Sequence, residues 1–138
     1  MFRLIVLTPI QLQKLLPKEF KILEVYCQSL PFNSNTPSYP FAGFVLNLCV
    51  ATTGHRDTND DTICVILPFG NWTGGAICLY ELGLVIDMMP GDIFIFLSSD
   101  ITHFNLDFKG LRCSLVLHSD KHGAKWVENY NNWQSHVF

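Results

Sequence analysis

The spacing of apolar and polar residues changes along this chain of 138 residues, from a helical to a strand-like pattern. Between residues 8 and 24 the apolar residues recur at helical spacing, and Thr8 can cap the first turn. The apolar stripe consists of Leu12, Leu15, Leu16 and Phe20. Pro17 interrupts the stripe, so we expect the helix to break or kink there. This segment predicts a helical layer outside the core rather than a site of chemistry.

After a loop rich in proline, serine and asparagine, the pattern changes to short apolar runs separated by turn residues. Seven runs have the length of β-strands: Phe41–Val50, Ile63–Phe69, Ala76–Tyr80, Leu84–Met88, Ile93–Leu97, His103–Phe108 and Leu111–His118. Their regular spacing is typical of a small sandwich or barrel. Several runs are apolar at nearly every position, which indicates strands covered on both faces. The fold class we predict is mainly β, a jelly-roll, cupin-like barrel.

The end of the chain returns to helical spacing. Its apolar anchors are Trp126, Val127, Tyr130 and Trp133. They predict a C-terminal helix packed on the barrel. The predicted organisation is therefore a helical lead and loop over residues 1–37, a β core over 38–120 and a C-terminal helix over 121–138.

Composition narrows the possible classes of protein. Hydrophobic residues make up 49% of the chain and charged residues 15%, which excludes disorder for its bulk. The net charge of −3 offers no broad basic surface for nucleic acid, so such a role must depend on a local site. No apolar stretch approaches the roughly 18 residues of a membrane helix. Five cysteines without a CxxC pair favour a reducing compartment, and we expect an intracellular protein without a membrane span.

The sharpest chemical feature is the triplet His55-Arg56-Asp57, which follows the first β run. An imidazole and a carboxylate two residues apart on an extended segment point to the same side and can bind one ion together. His103, at the start of a late run, would add a second imidazole. Two histidines and one carboxylate form the facial triad of iron(II) sites, although these ligands also suit zinc or a redox-silent site. The alternative interpretation of the triplet is a solvated turn.

A second feature is the pair Arg112 and Ser114 on the last β run. Alternate residues of a strand face the same side, so the guanidinium and the hydroxyl would project together into the barrel. Both groups suit a carboxylate. An arginine within an apolar strand is costly to bury without an anion, and the alternative interpretation is an internal salt bridge to Asp or Glu.

Taken in order along the chain, these features resemble the double-stranded β-helix of the 2-oxoglutarate- and iron(II)-dependent dioxygenases. The coinciding elements are His55–Asp57, Gly74–Gly83, Pro90–Ile93, His103 and Arg112–His118. Within that superfamily, the HRD triplet and the run from Phe41 onward are most similar to the TET/JBP branch, including its fungal, transposon-associated members. The resemblance covers about residues 38 to 120. TET/JBP enzymes are larger, so the chain would be a reduced copy or a fragment.

The resemblance implies an enzyme that uses Fe(II), 2-oxoglutarate and O2 to hydroxylate the methyl group of a nucleic-acid base, with 5-methylcytosine in DNA as the expected substrate. The implied catalytic iron ligands are His55, Asp57 and His103. The implied contacts of 2-oxoglutarate are Arg112, Ser114 and Asn47. For Asn47 the alternative is a strand amide satisfied by neighbouring backbone. A DNA substrate would place the protein in the nucleus.

The positions that would meet the base differ from the family pattern. Three residues after the metal carboxylate the family has an asparagine, whereas this chain has Asp60 with Asn59 beside it. An acidic acceptor can still take a hydrogen bond from the exocyclic amine of cytosine. Six residues after the cosubstrate arginine the family has an aromatic residue and this chain has His118, and two residues later a family histidine is replaced by Asp120. The implied substrate residues are Asn59, Asp60 and His118.

Two alternative functions stay open. The first is a dioxygenase of the same chemistry that acts on a protein side chain or a small molecule, which the acidic composition and the altered substrate positions favour. The second is a cupin-like binding module or a degenerate remnant without turnover. The stretch from Gly83 to Asn105 loosely resembles the second motif of a cupin, but the HxH-plus-Glu first motif is missing.

Overall fold

The structure, a computed structural model, describes residues 9–31 and 33–123. Its helical elements are α1 (Pro9–Leu15), α2 (Pro17–Ser29) and a 3₁₀ turn (Asn33–Asn35). Its strands are β1 (Gly43–Leu48), β2 (Cys64–Gly74), β3 (Ile77–Leu79), β4 (Leu84–Ile86), β5 (Phe94–Phe96), β6 (His103–Asn105) and β7 (Phe108–His118). The anchors of the predicted C-terminal helix, Trp126 to Trp133, lie outside the described residues.

The helical lead divides at the predicted proline. α1 ends at Leu15 and α2 begins at Pro17, because proline lacks the N–H that a continuous helix would need there and is well suited to the first turn of a new one. The helices pack on one face of the barrel. This cluster is formed by Leu12, Phe20, Leu23, Phe41, Ile63 and Val65. Within the described part of the chain, no helix is long and apolar enough to span a membrane.

All seven predicted strands form, in two antiparallel sheets. The four-stranded sheet has the order β1-β7-β2-β5 and the three-stranded sheet the order β4-β3-β6. A second apolar cluster joins strands of both sheets and fills part of the space between them. Its buried members are Cys64, Ile77, Leu79, Met88 and Phe96. The predicted mainly β, jelly-roll-like fold is confirmed.

Two predicted strand boundaries, the end at Phe69 and the start at Leu111, are wrong, and glycine explains both. The pairs Gly70-Asn71 and Lys109-Gly110 do not end strands but lie inside the long antiparallel ladder of β2 and β7. Gly70 and Gly110 have φ angles of 122° and 104°, and a Cβ on either residue would collide with a carbonyl oxygen of the opposite strand. The two glycines permit a close backbone approach within the ladder instead of a chain reversal.

β1 lies at an edge of the four-stranded sheet and has two chemically different faces. Val45 and Asn47 line the cavity between the sheets. Phe44, Leu46 and Leu48 alternate with them along the strand and are 51%, 51% and 62% exposed. The pairing of β1 with β7 places Asn47 opposite Ser114, so the register of one ladder decides which side chains of β1 enter the cavity.

Candidate metal centre

A cavity of about 240 Å³ lies between the sheets and collects nearly all the residues singled out from the sequence. Eight of the nine predicted site residues line it: Asn47, His55, Asp57, Asp60, His103, Arg112, Ser114 and His118. The ninth, Asn59, has an exposed side chain on the adjoining loop and is not part of the lining. Side chains from β1, β6, β7 and the loop after β1 therefore meet in one place.

His55, Asp57 and His103 form a compact group. Their potential ligand atoms all lie within 4.8 Å of one another. Nε2 of His55 is 3.7 Å from Oδ1 of Asp57, and Nε2 of His103 is 3.4 Å from Oδ2 of the same carboxylate. His103 is buried, whereas the other two side chains are partly exposed. The three side chains can bind one ion while leaving it accessible from one side.

The main chain holds the two histidines opposite each other. The N–H of His55 donates to the carbonyl oxygen of His103 at 3.2 Å, and the N–H of His103 donates back to His55 at 2.9 Å. The N–H of Asp57 donates to the carbonyl oxygen of Ser98 at 3.0 Å. Backbone hydrogen bonds, rather than contacts between the three side chains, therefore fix the backbone position from which each side chain projects.

Both imidazoles are oriented by a carbonyl group. Nδ1 of His55 lies 2.8 Å from the carbonyl oxygen of Thr53, and Nδ1 of His103 lies 3.0 Å from that of Ile101. A carbonyl oxygen only accepts hydrogen bonds, so Nδ1 carries a proton in each ring, and Nε2, which faces Asp57, is the nitrogen that is left to bind a metal. This is the usual supporting contact of metal-binding histidines.

The pKa values of the residues around this group bear on which of them can bind a metal. The hydrogen bond with His103 holds the pKa of Asp57 below its usual value, against the effect of burial, so Asp57 is a carboxylate at neutral pH. Burial alone would lower the pKa of His103, but its bonds with Asp57 and with the Ile101 carbonyl together raise it. Cys64 lines the same cavity, and burial raises its pKa to about 12, so it is a thiol at neutral pH. It does not belong to the group of converging ligand atoms. Two imidazoles and one carboxylate are the ligand types of iron(II) sites.

Glu81 connects the chain segment that carries His55 and Asp57 to the segment that carries His103. Its carboxylate accepts hydrogen bonds from the Thr102 N–H at 2.7 Å, the Thr102 hydroxyl at 2.6 Å and the Arg56 guanidinium at 2.6 Å. These bonds from Thr102 and Arg56 lower the pKa of Glu81 to about 2. Arg56 sits inside the HRD triplet and Thr102 directly precedes His103. The Glu81 carboxylate therefore positions both ligand-bearing segments without touching a ligand.

We expect Glu81→Gln to weaken iron(II) binding by about 10- to 100-fold, the usual cost of losing a hydrogen-bonded supporting residue of a metal site. The folded-state pKa of Glu81, about 2, lies below the ordinary 4.5. Glu81 therefore stabilises the fold above pH 4.5, and this contribution is lost as the pH falls from there toward 2. Anaerobic iron titration and acid unfolding measure the two effects. The matched control is Asp87→Asn, which changes an exposed carboxylate after β4. Equal behaviour of the two variants would contradict the positioning role.

Arg112 is a buried cation without a counterion. Its residue is 4% exposed, and no carboxylate in residues 9–31 and 33–123 forms an ion pair with it. Its Nε atom is buried without a hydrogen-bond partner. Burial lowers the pKa of Arg112, although arginine stays protonated in proteins. The internal salt bridge that was the sequence-based alternative does not form among the described residues.

The neighbours of Arg112 complete a site for an anion. Ser114 lies two residues further along the same face of β7 and is buried. The Asn47 amide, opposite it on β1, donates to the Ser114 hydroxyl at 3.4 Å. A buried guanidinium with an unused N–H, next to a hydroxyl, has the chemistry that binds a carboxylate with charge-assisted hydrogen bonds. The residues present therefore fit a carboxylate ligand that enters the cavity.

Asp60 and His118 form a pair on another part of the lining. Oδ1 of Asp60 lies 3.1 Å from Nδ1 of His118, and Oδ2 accepts a hydrogen bond from the Ser98 hydroxyl at 2.6 Å. The bond with Asp60 raises the pKa of His118. Sequence reasoning singled out Asp60 and His118 but missed Ser98 and Glu81, because both act through contacts between segments far apart in the chain. Glu81 lies within the Gly74–Gly83 element of the resemblance, but neither its contacts nor those of Ser98 follow from the local sequence.

A solved structure shares this fold. NgTET1 in complex with 5mC DNA matches with a TM-score of 0.70 and 22% sequence identity, over 87% of this chain and 50% of that one. This chain therefore spans about half the length of NgTET1 as crystallised. A 2OG-Fe(II) oxygenase family oxidoreductase from Burkholderia pseudomallei matches with a TM-score of 0.48 and 20% identity, over 59% of this chain and 47% of that one. No protein-family model and no curated protein matches the sequence. The likeness to NgTET1 confirms the fold that the sequence resemblance implied.

Proposed function

We propose that this chain is a 2-oxoglutarate- and iron(II)-dependent dioxygenase that hydroxylates the methyl group of a nucleic-acid base, 5-methylcytosine in DNA. The observation that carries the proposal is the coincidence of two independent sites in one cavity. One is the group of His55, Asp57 and His103, and the other is the unpaired cation Arg112 with Ser114. The shared fold with NgTET1, solved with 5mC DNA, supports both the chemistry and the substrate.

Three side chains would hold the iron. His55 and His103 would bind through Nε2, since each Nδ1 is engaged with a carbonyl group, and Asp57 would bind as a carboxylate. When bound, iron(II) with 2-oxoglutarate and O2 supplies an oxidative hydroxylation in which one oxygen atom enters the substrate C–H bond and the other enters succinate, with loss of CO2. The protein orients the reactants and excludes water.

Arg112 and Ser114 would hold the carboxylate of 2-oxoglutarate that lies away from the metal. No carboxylate of the described residues pairs with the Arg112 guanidinium, and its Nε–H has no hydrogen-bond partner there, so the guanidinium can donate to the ligand. Asn47 donates to the Ser114 hydroxyl and thereby leaves the hydroxyl proton free to reach the carboxylate. The three side chains thus fix the direction in which the cosubstrate enters.

His118 and Asp60 would meet the substrate base. A base reaches a cavity of this kind only after it has left the duplex stack, and it is then held by stacking and by its Watson–Crick edge. The ring of His118 is held by Asp60 and is 23% exposed, so one face is available to a base. A carboxylate has about four lone-pair sites, so Asp60 can still accept from a cytosine amine. The exposed Asn59 would contact the flanking strand, and a DNA substrate would place the protein in the nucleus.

The same polar pair favours a second candidate. Asp60 and His118 stand where TET/JBP-like enzymes are expected to carry an asparagine and an aromatic residue, and the chain has a net charge of −3. A pocket that pairs a carboxylate with an imidazole also suits a substrate with its own donors and acceptors, such as a protein side chain or a polar small molecule. This candidate keeps the iron chemistry and changes only the substrate.

Anaerobic iron(II) titration tests the proposal, first without and then with 2-oxoglutarate. We expect a weak visible charge-transfer band only when both are present. Succinate release in air is then compared for a duplex with 5-methylcytosine, the same duplex without the methyl group, and a panel of peptides and metabolites. Iron binding without the band would overturn the dioxygenase assignment. A band with succinate release that the methylated duplex does not stimulate would overturn the DNA substrate alone.

A further inference from the structure

Two aromatic rings face the guanidinium of Arg112. Its Cζ atom lies 5.6 Å from the ring centroid of Trp72 and 5.8 Å from that of Phe108. Trp72 belongs to β2 and Phe108 to the start of β7, and the two strands pair along this stretch. Both distances fall within the roughly 6 Å at which a cation is attracted to an aromatic face. The cation is therefore stabilised by the rings rather than by a carboxylate.

Gly75 supplies the space for this arrangement. A Cβ atom at Gly75 would lie 3.0 Å from both Cδ and Nε of Arg112 and 3.0 Å from the Cβ atom of Phe108. The residue also has a φ of 73°, in the region that favours glycine. Its N–H donates to the carbonyl oxygen of Asp107 at 2.9 Å, which holds this backbone against the arginine side chain. Any larger residue at position 75 would displace the guanidinium or the ring.

Because, among the described residues, aromatic rings rather than a carboxylate contact Arg112, its charge is not cancelled and its N–H donors stay unused. A carboxylate beside Arg112 would occupy its N–H groups and cancel its charge, and an incoming anion would have to displace it. An aromatic face stabilises the cation without accepting its N–H groups in the plane of the guanidinium. The buried, unpartnered Nε atom is the direct sign that donors remain unused.

We infer that Trp72, Phe108 and Gly75 form a cradle that keeps Arg112 buried, charged and unpaired, so that it binds the carboxylate of a dicarboxylate cosubstrate. The inference rests on the proposed function and adds three positioning residues to it. None of the three lines the cavity near the triad, so the cradle affects affinity for the cosubstrate and not for the metal. The expected ligand is a dicarboxylate that reaches both Arg112 and the metal, with 2-oxoglutarate as the probe.

The test is the dissociation constant of 2-oxoglutarate, measured anaerobically by calorimetry on the iron(II)-loaded chain, with the iron affinity measured separately. We expect Trp72→Leu and Phe108→Leu each to weaken 2-oxoglutarate binding by about 3- to 30-fold, because the guanidinium can then turn away from the ligand, a loss limited by the energy of a desolvated cation–π contact. Iron affinity stays at the wild-type value. Trp72→Phe and Phe108→Tyr keep an aromatic face and retain affinity near wild type. Gly75→Ala weakens binding at least as much as either leucine variant.

Phe69→Leu is the matched control, because Phe69 lies on β2 like Trp72, is 40% exposed and does not line the cavity. Leucine variants that bind 2-oxoglutarate as tightly as wild type would overturn the cradle while leaving the proposed function intact. The same holds if the aromatic replacements lose as much affinity as the leucine variants, or if Phe69→Leu does. Absence of 2-oxoglutarate binding by the wild-type chain would overturn both. If Gly75→Ala does not fold, the four variants of Trp72 and Phe108 still test the cradle.

Discussion

Alanine in place of His103 is expected to abolish iron-dependent turnover. His103 supplies one of three ligand atoms, and its Nε2 atom also holds the Asp57 carboxylate at 3.4 Å. Without the His103 ring, only His55 and Asp57 remain as ligands, and the Asp57 carboxylate loses a contact that orients it. The expected loss exceeds the 10- to 100-fold that follows from removing a supporting residue, so turnover should fall by more than about 100-fold. Succinate release at saturating iron and 2-oxoglutarate measures it.

A buried histidine also contributes to packing, so a second variant separates the two effects. The His103 ring packs edge-on against Phe96, with the ring centroids 4.8 Å apart, and alanine removes this contact. Asp57→Asn changes a more exposed side chain with little change of shape, and we expect it to lose iron binding while keeping the thermal stability of wild type. His122→Ala, at an exposed position after β7, is the control. Retained turnover in the His103 and Asp57 variants would show that the iron is held elsewhere.

Methionine in place of Arg112 is expected to change cosubstrate binding and stability in opposite directions. Loss of the charge-assisted hydrogen bonds to the carboxylate, each worth roughly 1.5–3 kcal/mol, should weaken 2-oxoglutarate binding by at least about 100-fold. The same substitution removes a buried cation that has no counterion and places an apolar chain of similar length between Trp72 and Phe108. The free energy of unfolding, measured without 2-oxoglutarate, should therefore stay the same or rise by about 1–2 kcal/mol.

Two further variants sharpen this prediction. Arg112→Lys keeps the charge but has no planar fork to stack between the rings, so we expect it to recover only part of the affinity. Lys109→Met removes an exposed cation from the same strand and should leave both quantities unchanged. A clear loss of stability in Arg112→Met would mean that the arginine contributes to the fold rather than to the ligand site. Unchanged affinity for 2-oxoglutarate would assign the carboxylate to another residue.

The parts of the site that depend on local geometry could be predicted from the sequence. The spacing of His55 and Asp57, and of Arg112 and Ser114, is the spacing of side chains on one face of an extended segment, and both pairs line the cavity. Pro17 divides the helices as predicted, because its effect depends only on its own ring and missing N–H. Local stereochemistry was sufficient in each case.

The parts that depend on contacts between distant segments could not be predicted in this way. The turn-like pair Gly70-Asn71 extends a strand, because the missing side chains of Gly70 and of Gly110 on β7 allow the two backbones to approach closely. Asp60 is engaged on both oxygens by Ser98 and His118, which come from two other segments of the chain. Glycine and aspartate carry the same sequence signal in either setting, so only the tertiary partner decides their role.

The register of β1 against β7 gives the site an odd–even rule for insertions and deletions. Asn47 enters the cavity because it lies opposite Ser114, while Leu46 on the other face lies opposite Leu115. A single residue added to or lost from β1 would turn the strand over beyond that point, sending a leucine inward and the amide outward. A change of two residues would restore the facing. Among the described strands β1 is hydrogen-bonded to β7 alone, so this one ladder determines which side chains of β1 enter the cavity.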